Sequence, residues 1–222
     1  MNPDKYSFLR FSYDKKTNSS YFYDESITNS LFENTICIND DLMPDHSEKI
    51  NIICKKIKIN RKKIRAFVTP DLEINAKCLP CKDVGILYFN SSLINLLSLD
   101  EFCFVAAHEI GHFVFEHGEP LNMDDIKDIS QSKFQEVSCD RVGMFISQDI
   151  KSCISALIKI STGLNDKHFK LNVSSILEQE DFISDENFNK SSHPSLISRI
   201  KALLLFNSML SEMGDADSTL SS

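Results

Sequence analysis

Two of the six histidines in these 222 residues stand four apart, with an acid between them: His108-Glu109-Ile110-Gly111-His112. Residues at that spacing share one face of a helix, about 5–6 Å apart, so both imidazoles can converge on one metal ion. Glu109 follows the first of them and can address a metal-bound water without becoming a ligand itself. This is the arrangement of zinc-dependent hydrolysis, with Glu109 as general base. The surrounding run from Glu101 to Phe113 is apolar almost all round, which predicts a buried central helix. Unpaired polar groups there would cost on the order of several kcal/mol, and coordination would satisfy them.

A catalytic zinc needs a third protein ligand and one position left for water. Six residues after His112 stands Gly118, so a third histidine at that spacing is missing. His117 falls one residue short and reads as a surface or capping histidine. The better candidate is Glu136 in Glu136-Val137-Ser138-Cys139-Asp140. Glu136 and Asp140 share a helix face, so Glu136 can complete the metal shell while Asp140 accepts a hydrogen bond from a ligand histidine. A bond of that kind fixes the ring's tautomer and orientation.

Several elements must position these groups. Ile50, Ile53 and Ile57 recur at helical spacing between Ser47 and Lys63, with Asp45 and Glu48 as a capping box. Two β-rich runs, Ile64–Thr69 and Val84–Phe89, flank Leu72–Leu79 and predict a small, partly antiparallel sheet of about three strands. Ser98 with Glu101 caps the metal helix, and Gly118 is its expected stop. Ser132 with Gln135 opens the helix of Glu136, which runs to about Ser147. A third helix spans Lys151–Thr162 before Gly163, and Pro194 starts a last one through about Met209. The fold class is therefore α+β, mostly helical. Residues 1–45 form an extension that reads as a hairpin layer, a latency segment or an irregular tail. The body covers 46–210, and 211–222 reads as a disordered tail. The polar stretches Glu119–Ser130 and Glu178–Ser192 read as loops.

The formal charge of −8 excludes nucleic-acid binding through a basic face. The one basic cluster, Lys55 to Lys63, reads as a solvated helix side. Seven cysteines without a framework spacing fit a reduced, cytoplasmic setting. Cys78-Leu79-Pro80-Cys81 lacks the further ligands of a structural zinc site. No secretory leader or membrane-spanning stretch is visible, so a soluble protein is expected.

His108–His112, followed by Glu136-x-x-Cys139-Asp140-Arg141-x-Gly143, resembles the gluzincin family of prenyl-protein (CAAX) and HtpX-type metallopeptidases. That family's second helix typically reads E-x-x-A-D-x-x-G, so Cys139 stands where a small alanine is usual. Ile74-Asn75-Ala76 is similar to the family's Asn-Ala strand at the cleft rim. The run from Ser192 to Ile200 is similar to its H-P-S-x-x-x-R-I element, with His193 and Arg199 at the marked positions. The resemblance covers roughly residues 45–207 and implies a zincin-like metalloendopeptidase holding one zinc ion. It implies that His193 stabilises the anionic intermediate, and that Arg199 orients that histidine or binds substrate carbonyls. Asn75 and Ala76 would receive the main chain of a protein or peptide substrate as an added strand. Without the resemblance, His193 reads as a helix-start residue, Arg199 as solvated and Asn75 as a turn residue. The membrane helices of the family's larger members are missing, which makes this a minimal, soluble form of unspecified oligomeric state. Two rival readings share the motif: an ImmA/IrrE-like regulator that cleaves repressors, and a non-catalytic binding module that keeps zinc for stability.

Overall fold

The computed structural model describes residues 7–10, 34–81, 83–117, 129–179 and 194–219. Residues 1–6, 11–33, 82, 118–128, 180–193 and 220–222 lie outside that set. So do the expectations for Gly118 and His193, and for most of the loops at 119–130 and 178–192.

Four strands form one mixed sheet. β1 (Ile36–Cys37) pairs antiparallel with β2 (Ile64–Thr69), β2 pairs parallel with β4 (Val84–Asn90), and β4 pairs antiparallel with β3 (Ala76–Cys81). The order is β1-β2-β4-β3, with Ala66 opposite Leu87 and Ala76 opposite Phe89. Ile86, Leu87, Tyr88 and Phe89 on β4 are all buried, as a strand covered on both faces requires. The three strands expected from sequence are joined by β1, which comes from the stretch read as an extension. Leu9 and Ile38 from that stretch also lie in the core, so these parts of residues 1–45 are built into the body.

Helix α1 spans Pro44–Lys56, shorter than the expected 47–63. Proline at its first turn has its backbone angle preset and needs no N–H partner there. The expected Asp45/Glu48 box does not form. Met43 is the N-cap and makes no side-chain bond, while Asn39 Oδ1 accepts from the backbone of Asp41 and Leu42 just upstream. Lys58 takes a left-handed conformation (φ 58°), and the Ile59 N–H returns to the Cys54 carbonyl, ending the helix early. That turn buries Ile57 and releases the chain into β2.

After the short α2 (Ser91–Leu96), α3 (Leu99–Val114) runs through the centre, with every residue from Glu101 to Gly111 buried. The Ser98/Glu101 capping box is present. Glu101 also reaches a neighbouring helix, where its carboxylate accepts from Lys159 Nζ at 2.9 Å and from Ser155 Oγ at 2.5 Å on α5 (Ile150–Thr162). Lys159 is only 1% exposed, and Asp166 gives it a second carboxylate at 2.8 Å. Burial alone would depress its pKa, but the two acids outweigh that and raise it. The start of α3 is thereby locked to α5.

Helix α4 (Ile129–Ser147) begins three residues before the expected Ser132 and crosses α3 antiparallel. Two glycines set the closeness of this crossing. A Cβ on Gly143 would lie 2.6 Å from the Phe104 ring and 2.9 Å from the Phe104 carbonyl oxygen, and one on Gly111 would lie 3.2 Å from Cys139 Sγ. The short α6 (Val173–Leu177) follows α5, and α7 (Leu196–Thr219) packs on α4 and α5. α7 continues past the expected end near Met209 into residues read as a disordered tail, a stretch without proline. Among the described residues no helix is long and apolar enough to cross a membrane.

Gly143→Ala should therefore destabilise the protein by about 1–3 kcal/mol, because Phe104 is fully buried and cannot swing away. The better helix propensity of alanine offsets at most about 1 kcal/mol of this. Chemical denaturation of the two proteins in parallel measures the difference, and an unchanged midpoint would refute so close a crossing.

Candidate metal centre

The α3–α4 crossing brings two stripes together in antiparallel register. On α3 the stripe is Phe104, His108, Gly111 and His112; on α4 it is Gly143, Asp140, Cys139 and Glu136. Their pairings follow from the contacts: Gly143 on Phe104, Asp140 on His108, Cys139 on Gly111, and Glu136 beside both histidines. Each stripe repeats at three- and four-residue steps, so each is one helix face.

His108 Nε2 and His112 Nε2 lie 3.2 Å apart. Glu136 faces both: Oε2 is 3.5 Å from His108 Nε2 and Oε1 is 3.5 Å from His112 Nε2. A cation between them would take a lone pair from each of the two imidazoles and the carboxylate. A nitrogen from each histidine and Cys139 Sγ also lie within 4.8 Å of one another, giving a candidate His/His/Cys metal cluster. Cys139 Sγ has its own neighbour in His117 Nδ1 at 3.6 Å.

Behind His108 runs a chain of charge-assisted bonds. Its Nδ1 donates to Asp140 Oδ1 at 2.9 Å, and Arg199 of α7 grips both oxygens of that carboxylate, Nε to Oδ2 at 2.8 Å and Nη2 to Oδ1 at 2.6 Å. Arg199 Nη1 also approaches Glu136 Oε2 at 3.8 Å. Burial by itself would lower the His108 pKa, yet the Asp140 hydrogen bond and the charges of Glu136 and Asp140 raise it overall. Burial would likewise raise the Asp140 pKa, and the Arg199 charge and hydrogen bonds, with His108, bring it below the usual carboxylate range. Asp140 is thus held as an anion that takes the Nδ1–H of His108, so that Nε2 is the ring nitrogen turned towards a metal.

The structure therefore gathers His108, His112, Glu136, Asp140 and Arg199 at one point. Arg199 meets Asp140, a partner that sequence alone did not suggest; His193, its expected partner, lies outside the described residues. Glu109 is buried on α3, next to the first histidine. Ala76 begins the edge strand β3, which packs against α3, and Asn75 immediately precedes it. The Asn75 carbonyl accepts from the Asn90 N–H at 3.0 Å, and its side chain reaches Glu73 at 3.5 Å.

One residue was misread from sequence. His117, taken for a surface or capping histidine, is buried, and its Nδ1 lies 3.2 Å from His112 Nδ1. The signal was hidden because the chain reverses there on Glu116 in a left-handed conformation (φ 58°), a role glycine usually fills. Burial pushes the Cys54 thiol to about 11 and the Cys153 thiol to about 12, as for inert thiols.

The family model described as Peptidase family M48 matches residues 44–126, from the start of α1 through the whole of α3. Over that stretch the chain is similar to peptidase family M48. The plastoglobule-localized metallopeptidase 48, chloroplastic, of Arabidopsis thaliana is 30% identical over 111 residues, covering 40% of this chain and 32% of the relative. The chain therefore spans about a third of the length of that relative. No solved structure matches. The M48 stretch includes His108–His112 and ends before α4, so Glu136, Asp140 and Arg199 stand on their geometry.

Asp140→Ala should leave a buried imidazole and a guanidinium without their shared acceptor. Metal-free protein is expected to lose about 3 kcal/mol, the low end for a broken buried pair because Arg199 keeps some contact with solvent. Urea denaturation in the presence of a chelator reads this directly; a loss below about 1 kcal/mol, the level of an exposed pair, would show the clamp to be incidental.

Proposed function

We propose that this chain is a zinc metalloendopeptidase of zincin-like, gluzincin architecture. His108, His112 and Glu136 would hold the ion, and Glu109 would serve as general base. The observation that carries the reading is the triangle of donors. Ligands about 2.0–2.1 Å from a tetrahedral zinc lie about 3.3 Å from one another, and the separations here are 3.2, 3.5 and 3.5 Å. Two nitrogens and a carboxylate suit zinc, and three protein ligands leave one position for water. Glu136 is preferred to Cys139 because its two oxygens address both imidazoles, while the thiol is turned towards His117.

When bound, zinc lowers the pKa of a coordinated water towards ~7 and polarises the scissile carbonyl. The protein's own groups do the rest. Glu109 accepts the water's proton and delivers it to the leaving amine. Asp140 and Arg199 hold His108 in its ligating tautomer, so Arg199 acts as a positioning residue, and His193 would donate to the developing oxyanion. A substrate main chain would pair with the free side of β3, with Asn75 and Ala76 at the rim. The edge position of β3 supports this, since its outer N–H and C=O groups have no strand beside them among the described residues. The setting proposed is reduced and cytoplasmic, on the cysteine spacing and the burial of thiols such as Cys54 and Cys153. Residues 1–45 or 178–192 are proposed as a source of latency, to be tested with trimmed chains that keep Leu9, Ile38 and β1.

Glu109→Gln should retain stoichiometric zinc while peptide cleavage falls about 10²- to 10⁴-fold. Glu136→Ala should lower the zinc content, and a chelator should abolish cleavage by the unaltered protein. Metal analysis beside a quenched-peptide assay checks all three. Undiminished cleavage by Glu109→Gln would overturn the mechanism, and full zinc in Glu136→Ala would remove Glu136 from the ligands. Zinc binding without cleavage, in trimmed as well as full-length chains, would favour a binding module.

A further inference from the structure

The C-terminus of α3 closes in a specific turn. The Phe115 N–H bonds to the Gly111 carbonyl, the Glu116 N–H to Phe113 at 3.3 Å, and the His117 N–H to His112 at 2.9 Å. With Glu116 left-handed, these last two bonds are the paired 5→2 and 6→1 bonds of a Schellman motif. In that motif the residue after the left-handed one folds back on the residue whose carbonyl it captures. Here those two residues are His117 and His112. Their rings meet edge to face, with centroids 5.3 Å apart and planes at 71°, and the two Nδ1 atoms are 3.2 Å apart. Cys139 Sγ, at 3.6 Å, brackets the His117 ring from α4, and Phe115 flanks it with ring centroids at 5.5 Å.

Two nitrogens at 3.2 Å form a hydrogen bond only if one carries the proton and the other a lone pair. If His112 presents Nε2 to a metal, the proton must sit on its Nδ1, and His117 must accept it with a bare Nδ1. We propose that His117 is the positioning residue of His112. It would do for the second ligand what Asp140 does for the first, with a neutral imidazole in place of a carboxylate. Placing a β-carbon-bearing glutamate in the left-handed position costs about 1 kcal/mol. The turn accepts that cost and delivers the acceptor to the ring. The proposal rests on the metal site proposed above and concerns a residue that site does not include.

The test measures zinc affinity of the full chain by competition with a chromogenic chelator, together with the thermal midpoint of the metal-free proteins. His117→Phe keeps an aromatic ring and removes the acceptor, and its affinity should fall about 10- to 100-fold. His117→Gln keeps an acceptor oxygen and should retain most of the affinity. Cobalt(II) in place of zinc should show an altered visible spectrum in His117→Phe and a near-native one in His117→Gln. If phenylalanine prevents folding, His117→Ala gives the same comparison against glutamine. The proposal is overturned if the variant without an acceptor binds zinc as tightly as the unaltered protein. It is also overturned if glutamine loses as much affinity as phenylalanine while both fold, since shape alone would then explain the loss. Failure of the unaltered protein to bind zinc at all would instead remove the underlying site, an outcome distinct from either.

Discussion

Everything at the candidate centre depends on how closely α3 and α4 approach. Phe104, His108 and His112 on one helix face Gly143, Asp140 and Glu136 on the other, and the antiparallel register pairs each with its counterpart. Gly143 admits the Phe104 ring and carbonyl where any side chain would collide. Further along the crossing, Gly111 admits the Cys139 thiol. A side chain at Gly111 would widen the crossing one turn from Glu136, which stands 3.5 Å from two imidazoles, and one at Gly143 would splay it two turns away. Helices with ordinary side chains at the contact pack about 8–10 Å apart, and small residues at the contact favour the near end of that range. The polar groups are then placed by apolar packing, without relying on their own attraction, which suits a site that must keep its shape with or without a cation.

The remaining elements hold that crossing in place. Glu101 caps the start of α3 and pairs with the buried Lys159 of α5, so the helix cannot slide along its axis without breaking both. At its other end the turn through Glu116 holds His117 against His112. Helix α7 contributes through Arg199, whose two bonds to Asp140 tie the outer layer to the first histidine. The sheet supplies the floor: β4 is buried throughout its middle, and β3 leaves an edge facing away from it.

Much of this was legible in the residues, and what was not has physical reasons. The four-residue spacing of His108 and His112, the Ser98/Glu101 box and the four-residue spacing of Glu136 and Asp140 are local signals, and helix geometry converts them directly into faces. Their meeting across two helices needed the further pattern Glu136-x-x-Cys139-Asp140-x-x-Gly143, where small and acidic residues alternate along one face. The end of α1 and the role of His117 escaped notice for a shared reason. Both depend on a left-handed residue that is not glycine, Lys58 in one turn and Glu116 in the other, and neither residue type announces that conformation. β1 was missed because two residues give no periodicity, and its pairing with β2 is a tertiary choice. The partner of Arg199 was beyond reach because it lies 59 positions away on another helix.

The two histidines are held differently, and the difference bears on charge. Asp140 and Glu136 bring two formal negative charges to the cluster, Arg199 returns one positive charge, and His117 adds none in the tautomer that can accept from His112. With the buried Glu109 beside His108, the formal sum around the two imidazoles is −2 against the +2 of a divalent cation. A carboxylate behind His112 as well would take that sum to −3 and weaken the pull on an anionic nucleophile or a developing oxyanion. A neutral imidazole orients the ring without that penalty. Arg199 acts in the same sense, because it offsets the charge of Asp140 while the His108–Asp140 bond stays in place at 2.9 Å. On the proposed reading, sparing the open side a further negative charge is what a hydrolytic centre needs and what a purely structural site, closed by anionic ligands, does without.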